Sequence, residues 1–369
     1  MLTYKQTDEF DLDISDLFQA YFDCRKNKRN SKSALMYEEN FEENIFILYE
    51  KLKSKTYAPG KSDFFIVLQP KPREIWAAQF EDRIIHHLFY NKFYSIFTNS
   101  FIFDSYSCIP RKGTLNAAKR LNHFVKSCTK NYSENCFYLQ CDIMSFFTNI
   151  DKDIVFSIII KKITNNWWIW LLKTILYYDP TENYVCKSSI WKQKHIEKHK
   201  SLFNAKKNVG LPIGNLTSQF IANIYLNELD QYTKHKLKIK YYIRYADDIV
   251  ILHNNPKQLN FYYKKLCDFV ERNLKLKFHP SKKIINNTKV VINFVGYIIK
   301  PYRIYVRRRT LHNMYVSASK NKDDPEKLRS SINSYLGILK HSNSYKKKKL
   351  FAEKHKYIKF DKHLNKVIL

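Results

Sequence analysis

Two adjacent aspartates, Asp247 and Asp248, sit between two runs that read as strands, Tyr241-Tyr242-Ile243-Arg244-Tyr245 before them and Ile249-Val250-Ile251-Leu252 after. β-Branched and aromatic residues on both sides of so short a polar tip predict a β-hairpin. An aspartate pair is also common in plain surface turns, and Asp323-Asp324 reads that way, but such turns rarely carry arms like these. The hairpin brings two carboxylates to the edge of an apolar sheet. Burial and mutual repulsion both oppose their ionisation. A hard divalent cation taking oxygen ligands is the natural counterweight.

A second apolar strand, Phe137-Tyr138-Leu139-Gln140-Cys141-Asp142-Ile143, also ends in a carboxylate. If it neighbours the hairpin in one sheet, the carboxylates converge. Two Mg²⁺ ions held there about 3.5–4 Å apart suit in-line phosphoryl transfer.

Charge points to the partner. The 369 residues include 64 lysines and arginines against 34 aspartates and glutamates, a net charge of +30. Residues 305–369 alone hold 17 basic and 5 acidic residues, including Arg307-Arg308-Arg309 and Lys346-Lys347-Lys348-Lys349. Basic clusters interleaved with Tyr and Phe fit phosphate neutralisation plus stacking on nucleic acid. A 44% hydrophobic, 16% aromatic composition can build a large core and excludes global disorder. No apolar run approaches the length of a membrane span, so no membrane partner is expected. The polar, acidic start of the chain argues against a secretory signal. The seven cysteines form no Cys-x-x-Cys pair, which argues against a disulfide framework or zinc ribbon and for a reducing, cytoplasmic setting. His195 and His199 have helical ligand spacing, but no third ligand stands near them in sequence.

There are only six glycines in this Lys-, Asn-, Ile- and Tyr-rich chain. Those retained mark a backbone need, and Gly210 and Gly214, four apart, stand out. The periodicity predicts helices over 13–24, 34–55, 79–97, 115–126, 153–177, 217–237 and 257–276. It predicts strands at Phe64–Leu68, Val290–Ile299 and Arg303–Val306, a polar insertion at about 179–208, and a helical, basic remainder.

Tyr245-Ala246-Asp247-Asp248 resembles the catalytic box of reverse transcriptases. Asp142-Ile143-Met144-Ser145-Phe146-Phe147, with Ile150 beyond, resembles their motif A, and Phe294-Val295-Gly296-Tyr297 resembles the primer-grip hairpin. Lys282 falls at the motif D lysine, with Lys283 as the alternative. Order and spacing agree over roughly residues 45–345. The resemblance implies an α+β right-hand polymerase with a ferredoxin-like antiparallel palm sheet and a helical thumb. Residues 1–40 would form an N-terminal helical extension, 41–130 the fingers, 131–304 the palm and 305–369 the thumb. The tail is too short for an RNase H or endonuclease domain, so priming, strand removal and integration are expected to fall to other factors.

Within that family, the stretch Gly210 to Gln219 resembles motif B of diversity-generating retroelement enzymes. These read Ile-Gly-x-x-x-Ser-Gln where group II intron relatives read Gln-Gly-x-x-x-Ser-Pro. Arg111-Lys112-Gly113-Thr114 and the stretch from Ser334 to His341 look similar to the same group, and bacterial defence reverse transcriptases share parts of the pattern.

The resemblance implies roles residue by residue. Asp142, Asp247 and Asp248 would hold two Mg²⁺ ions, or Mn²⁺ in their place, with the backbone carbonyl of Ile143 completing one of them. Lys282 would protonate the pyrophosphate. Lys71, Arg73, Phe147, Gly214 and Gln219 would bind the dNTP, with Phe147 as steric gate against a ribose 2′-OH. Ile213, Asn215 and Ser218 would face the template and set fidelity. Arg111, Lys112, Arg307, Arg308, Arg309 and Lys340 would bind nucleic acid. The expected function is an RNA-directed DNA polymerase, bacterial or phage-encoded, that copies a template-repeat RNA into cDNA with low fidelity opposite adenine. Its partners would be the RNA template, the RNA/DNA hybrid, dNTPs and a small basic oligomeric accessory variability protein. The alternatives are an antiphage defence enzyme making cDNA from a non-coding RNA and, more remotely, a catalytically dead RNA-binding protein.

Overall fold

The computed structural model of the protein describes residues 9–26, 28–361 and 363–368. Its strands, in chain order, are β1 (Ser62–Val67), β2 (Arg73–Ala77), β3 (Phe137–Asp142), β4 (Tyr184–Cys186), β5 (Tyr241–Tyr245), β6 (Asp248–His253), β7 (Ile284–Asn287), β8 (Ile292–Phe294), β9 (Tyr297–Lys300), β10 (Arg303–Val306), β11 (Lys359–Phe360) and β12 (Val367–Ile368). The chain divides into two discontinuous units. One takes the chain up to Phe103, Ile143–Leu237 and Lys265–His279. The other takes Asp104–Asp142, Lys238–Lys264 and the chain from Pro280 onward.

In the first unit, helix Ile14–Arg25 packs along helix Phe80–Thr98, with the Tyr21 ring against Phe41 and Phe80. The helix expected over 34–55 is two, Lys32–Glu38 and Phe41–Lys53. The apolar stretch 153–177 also splits, into Lys152–Ile159 and Asn166–Tyr177. Side-chain caps set both starts: Asp151 accepts from the N–H groups of Asp153 and Ile154, and Asn165 from those of Trp167 and Trp168.

The polar stretch 179–208 is no detached insertion. Its β4 joins β1 in parallel, giving a three-stranded sheet of order β2-β1-β4. Phe203 packs its ring 5.1 Å from Trp76 and 5.4 Å from Phe64. The abundant lysines mask these few apolar anchors in sequence.

The second unit holds a four-stranded antiparallel sheet of order β5-β6-β3-β7. Helices separate β3 from β5 and β6 from β7, which is β-α-β-β-α-β, ferredoxin-like connectivity. β7 was not expected, because Ile284-Ile285-Asn286-Asn287 is short and asparagine is a poor strand former. The strand expected over Val290–Ile299 breaks at Val295 and Gly296, with φ of +44° and +92°, and continues as the antiparallel sheet β8-β9-β10.

One core unites this unit. Ile243, Val250 and Leu252 from the sheet join Leu121 and Phe124 of helix Thr114–Cys128, Phe294, and Ile332 and Phe351 of the C-terminal helices. Three basic helices, Arg308–Lys320, Pro325–Leu339 and Tyr345–Lys354, follow the sheets. The end of the chain is not helical as expected. It forms the β11–β12 ribbon, whose Val367 N–H donates to Asn333 Oδ1 at 2.7 Å.

Cys128 and Cys136 are bridged, their Cα atoms 6.2 Å apart. This one bridge was not expected from the cysteine spacing, and the other five cysteines remain thiols. The chain reverses after helix Thr114–Cys128 to enter β3, and that reversal brings the two together. No helix among the described residues is long and apolar enough to cross a membrane.

Candidate active site

Asp142 is the last residue of β3 and pairs in register with Asp248, the first of β6. A two-residue loop, Ala246-Asp247, joins β5 to β6, with Tyr245 opposite Asp248. Ala246 takes φ +52°, a left-handed conformation that disfavours a Cβ-bearing residue. Arg244 holds it there: its fully buried guanidinium donates from Nη1 to the Ala246 carbonyl at 3.1 Å. The Arg244 backbone is fixed too, its N–H donating to Asp104 O and its carbonyl accepting from Tyr106 N–H, each at 3.0 Å.

The turn aims Asp247 at Asp142, close enough for the two carboxyl groups to act on each other's charge. Burial, followed by the charge of Asp142, pushes the Asp247 carboxyl up to about 7. Burial also raises Asp248, to about 6, against the opposing pull of a hydrogen bond from Gln140 Nε2 to its Oδ1 at 3.1 Å. Lys282, at the end of the short helix Pro280–Lys282, places its ammonium on Asp142 Oδ2. Among the described residues no three His, Cys, Asp or Glu side chains are grouped to hold one metal ion. The arrangement is a facing pair, Asp142 and Asp247, with Asp248 engaged by Gln140. A carboxyl held toward its neutral form by burial and by a facing carboxylate suits a hard divalent cation, which would stabilise its charged form.

Motif A leaves the sheet after Asp142. Ile143 is buried and bridges to Phe278. Phe146 and Phe147 lie in a 3₁₀ turn, Phe146–Asn149, beyond the end of β3. Phe146 is buried and Phe147 half-buried, their rings 5.3 Å apart edge to face. The Phe147 carbonyl accepts from the Leu211 N–H at 2.7 Å, joining motif A to motif B.

Motif B is stitched to β2. Trp76 N–H donates to Ile213 O at 2.8 Å and Ala78 N–H to Asn215 Oδ1 at 3.2 Å. Gly214 has φ +136°, and a Cβ there would lie 2.8 Å from the Trp76 carbonyl oxygen, so the backbone approach this glycine permits is to β2. Asn215 and Ser218 are buried, and both line a small cavity of about 30 Å³ with Tyr57, Asp82, His86 and Thr217. Gly214 and Gln219 are exposed. Lys71 and Arg73 are exposed on the β1–β2 hairpin.

Arg111 is exposed at φ +63°. Lys112 donates to Ser105 O at 2.9 Å and lies over the Tyr106 ring. Arg307 donates from Nε to Asn293 Oδ1 at 3.0 Å, while Arg308, Arg309 and Lys340 are exposed on the C-terminal helices. The sequence reading passed over Arg244 and Gln140. Their signal was present, as one charged and one amide side chain inside otherwise apolar strands beside the aspartates.

A family model described as Reverse transcriptase (RNA-dependent DNA polymerase) matches residues 61–299. The chain belongs to the reverse transcriptase family. Among curated proteins, this reverse transcriptase is similar to the putative COX1/OXI3 intron 2 protein of Saccharomyces cerevisiae, at 22% identity over 275 residues covering 57% of the chain and 29% of that protein. It is also similar to the group II intron-encoded protein LtrA of Lactococcus lactis subsp. cremoris, at 24% over 296 residues covering 76% and 45% respectively. The chain therefore spans less than half the length of these curated relatives. Among solved structures, the telomerase of Candida albicans in complex with a TWJ fragment of telomeric RNA matches with a TM-score of 0.51 at 10% identity, covering 83% of this reverse transcriptase and 60% of that chain. At such identity the likeness shows the fold, the α+β right-hand polymerase class.

Proposed function

We propose that the chain is an RNA-directed DNA polymerase of a diversity-generating retroelement, copying a template-repeat RNA into cDNA with low fidelity opposite adenine. The observation that carries the polymerase reading is the facing pair Asp142 and Asp247 at the tips of neighbouring palm strands. Their carboxylates, with the Ile143 carbonyl, would hold two Mg²⁺ ions, or Mn²⁺ in their place. The ions would supply charge neutralisation at the triphosphate and an activated primer 3′ oxygen.

The chain's own residues do the rest. Arg73 and Lys71 bind the triphosphate from the β1–β2 hairpin, the guanidinium suiting bidentate phosphate contact. Phe147 stands against the sugar and excludes a 2′-OH by bulk. Lys282, already on Asp142, carries the proton that the leaving pyrophosphate takes up. The exposed arginines Arg308 and Arg309 with Lys340 track the backbone of an RNA–DNA duplex by charge.

The retroelement assignment is supported by the order Ile213-Gly214-x-x-x-Ser218-Gln219. Gln219 carries the exposed side chain of that motif and Ile213 is partly exposed, so these two side chains are the ones proposed to reach a nascent base pair. A contact that discriminates weakly between pairings is worth only a few kcal/mol, which fits selective infidelity. A small basic accessory variability protein is the expected partner.

The test is primer extension by the purified chain on its cognate RNA, followed by sequencing of the cDNA. Errors concentrated opposite template adenine support the retroelement enzyme. Errors spread evenly over four bases move the assignment to a defence enzyme. No Mg²⁺-dependent incorporation at all refutes the polymerase.

A further inference from the structure

Gln140 lies on β3 two residues before Asp142. Its side-chain nitrogen sits 3.1 Å from Asp248 Oδ1 and 2.9 Å from the main-chain oxygen of Asn293. Both neighbours can only accept, so the two amide hydrogens are both engaged and chemistry fixes which way the amide faces. The Asn293 side chain makes the next link, its Oδ1 accepting from Arg307 Nε at 3.0 Å. Arg307 then returns to the hairpin through its own backbone, its N–H donating to Gly296 O at 3.1 Å. A continuous chain of hydrogen bonds thus runs from the second aspartate of the catalytic turn, through Gln140, to both ends of the bend between β8 and β9.

Sheet register alone does not supply this connection. β8 belongs to the β8-β9-β10 sheet and pairs with no strand of the catalytic sheet. The Gln140 amide is a direct polar bridge between the two, made at the strand end where Asp142 and Asp248 meet. A carboxylate that accepts from an amide is held by a charge-assisted bond, stronger and more directional than a neutral one.

We propose that Gln140 is a positioning residue that registers the β8–β9 hairpin, and with it the recessed 3′ end of an RNA–DNA duplex, to the Asp142–Asp247 pair. Asp248 is the anchor of this relay. The assignment rests on the polymerase reading above and on the resemblance of Phe294-Val295-Gly296-Tyr297 to the primer-grip hairpin.

Gln140→Met keeps the side-chain length and removes both donors. Fluorescence anisotropy is measured with a recessed RNA–DNA primer–template and with the single-stranded template RNA, and Mg²⁺ is titrated in primer extension. Affinity for the recessed duplex is expected to fall about tenfold, the scale of losing hydrogen bonds to a charged group. Binding of template RNA alone and the half-saturating Mg²⁺ concentration stay at wild-type values. Asn293→Leu cuts the same relay at its next link, removing the Oδ1 acceptor of Arg307, and gives the same split, so either variant that folds decides the matter. Unchanged duplex affinity, an equal loss on both ligands, or a raised Mg²⁺ requirement without loss of duplex affinity each overturns the relay. If the wild-type chain incorporates no dNTP, the polymerase reading fails while the anisotropy comparison still decides the role of Gln140.

Discussion

Asp142 and Asp247 face each other across the end of the β3–β6 ladder, and the carboxyl of Asp247 is held near neutrality by burial and by its partner's charge. A buried carboxyl that resists ionisation beside a second carboxylate defines the chemistry of this site. It also makes the metal-free protein sensitive to pH. A carboxyl whose pKa rises on folding favours the native state at low pH, and that contribution is lost as pH climbs from the ordinary carboxylate range through about 7. In EDTA, the thermal midpoint of the wild type is expected to decline across this window. Asp247→Asn flattens that decline, by on the order of 1 kcal/mol after solvent screening. Parallel melting curves for the two proteins between pH 4 and pH 8, an order-of-magnitude window around the shifted group, count against the pairing.

The same substitution tests catalysis. Asp247→Asn or Asp142→Asn removes an oxygen donor with little change of shape. Mg²⁺-dependent dNTP incorporation is expected to drop at least a thousandfold, on the order of removing a principal electrostatic stabiliser. RNA binding, carried by distributed basic residues, stays within about twofold. Retained synthesis refutes the metal assignment.

Phe147→Val tests the proposed steric gate by removing the ring's bulk. Discrimination against ribonucleotides is expected to fall by tenfold or more, on the scale of filling or emptying an apolar pocket. The ratio of kcat/KM for dNTP and NTP reads this directly. An unchanged ratio places sugar selection elsewhere.

Gly214→Ala puts a Cβ 2.8 Å from the Trp76 oxygen at a backbone φ of +136°. Strain of about 1–3 kcal/mol is expected, relieved by parting the loop from β2. Both the melting temperature and the affinity for dNTP fall. A variant as stable as the wild type shows that the loop moves away without cost.

Gln219→Ala should change misincorporation opposite adenine more than opposite the other bases, because Gln219 is exposed while its neighbour Ser218 is buried. Ser218→Ala, facing the enclosed cavity, should leave the error spectrum unchanged. Sequencing of cDNA from both variants separates the two. An equal change at all four template bases removes the fidelity role.

The palm was legible because its strands are long, apolar and punctuated by carboxylates. Asp142 and the Asp247-Asp248 hairpin needed no tertiary information to be noticed. Other elements depended on partners that a local pattern does not contain. Ile284–Asn287 becomes a strand because β3 offers an open edge. Residues 184–186 become one because β1 does. The breaks near Asn40 and Asn165 lie inside runs whose apolar spacing continues across them, so periodicity joined what the non-helical backbone of Asn40 and the side-chain cap of Asn165 divide. Gly214 was rightly singled out as a place of close approach, but a sequence cannot say which backbone is approached. Gln140 and Arg244 were hidden for a related reason, since a polar residue in an apolar strand declares a partner without naming it.

The strand Arg73–Ala77 is sewn down along its length. Glu74 accepts from the Leu202 N–H, Trp76 donates to Ile213, and the next residue, Ala78, donates to Asn215. The cationic side chain at its start and the loop at its far end therefore ride on one stiff beam. On the proposed reading, loosening the loop to tolerate an ill-shaped base pair would shift the proposed phosphate-binding arginine with it, gearing accuracy and nucleotide appetite together.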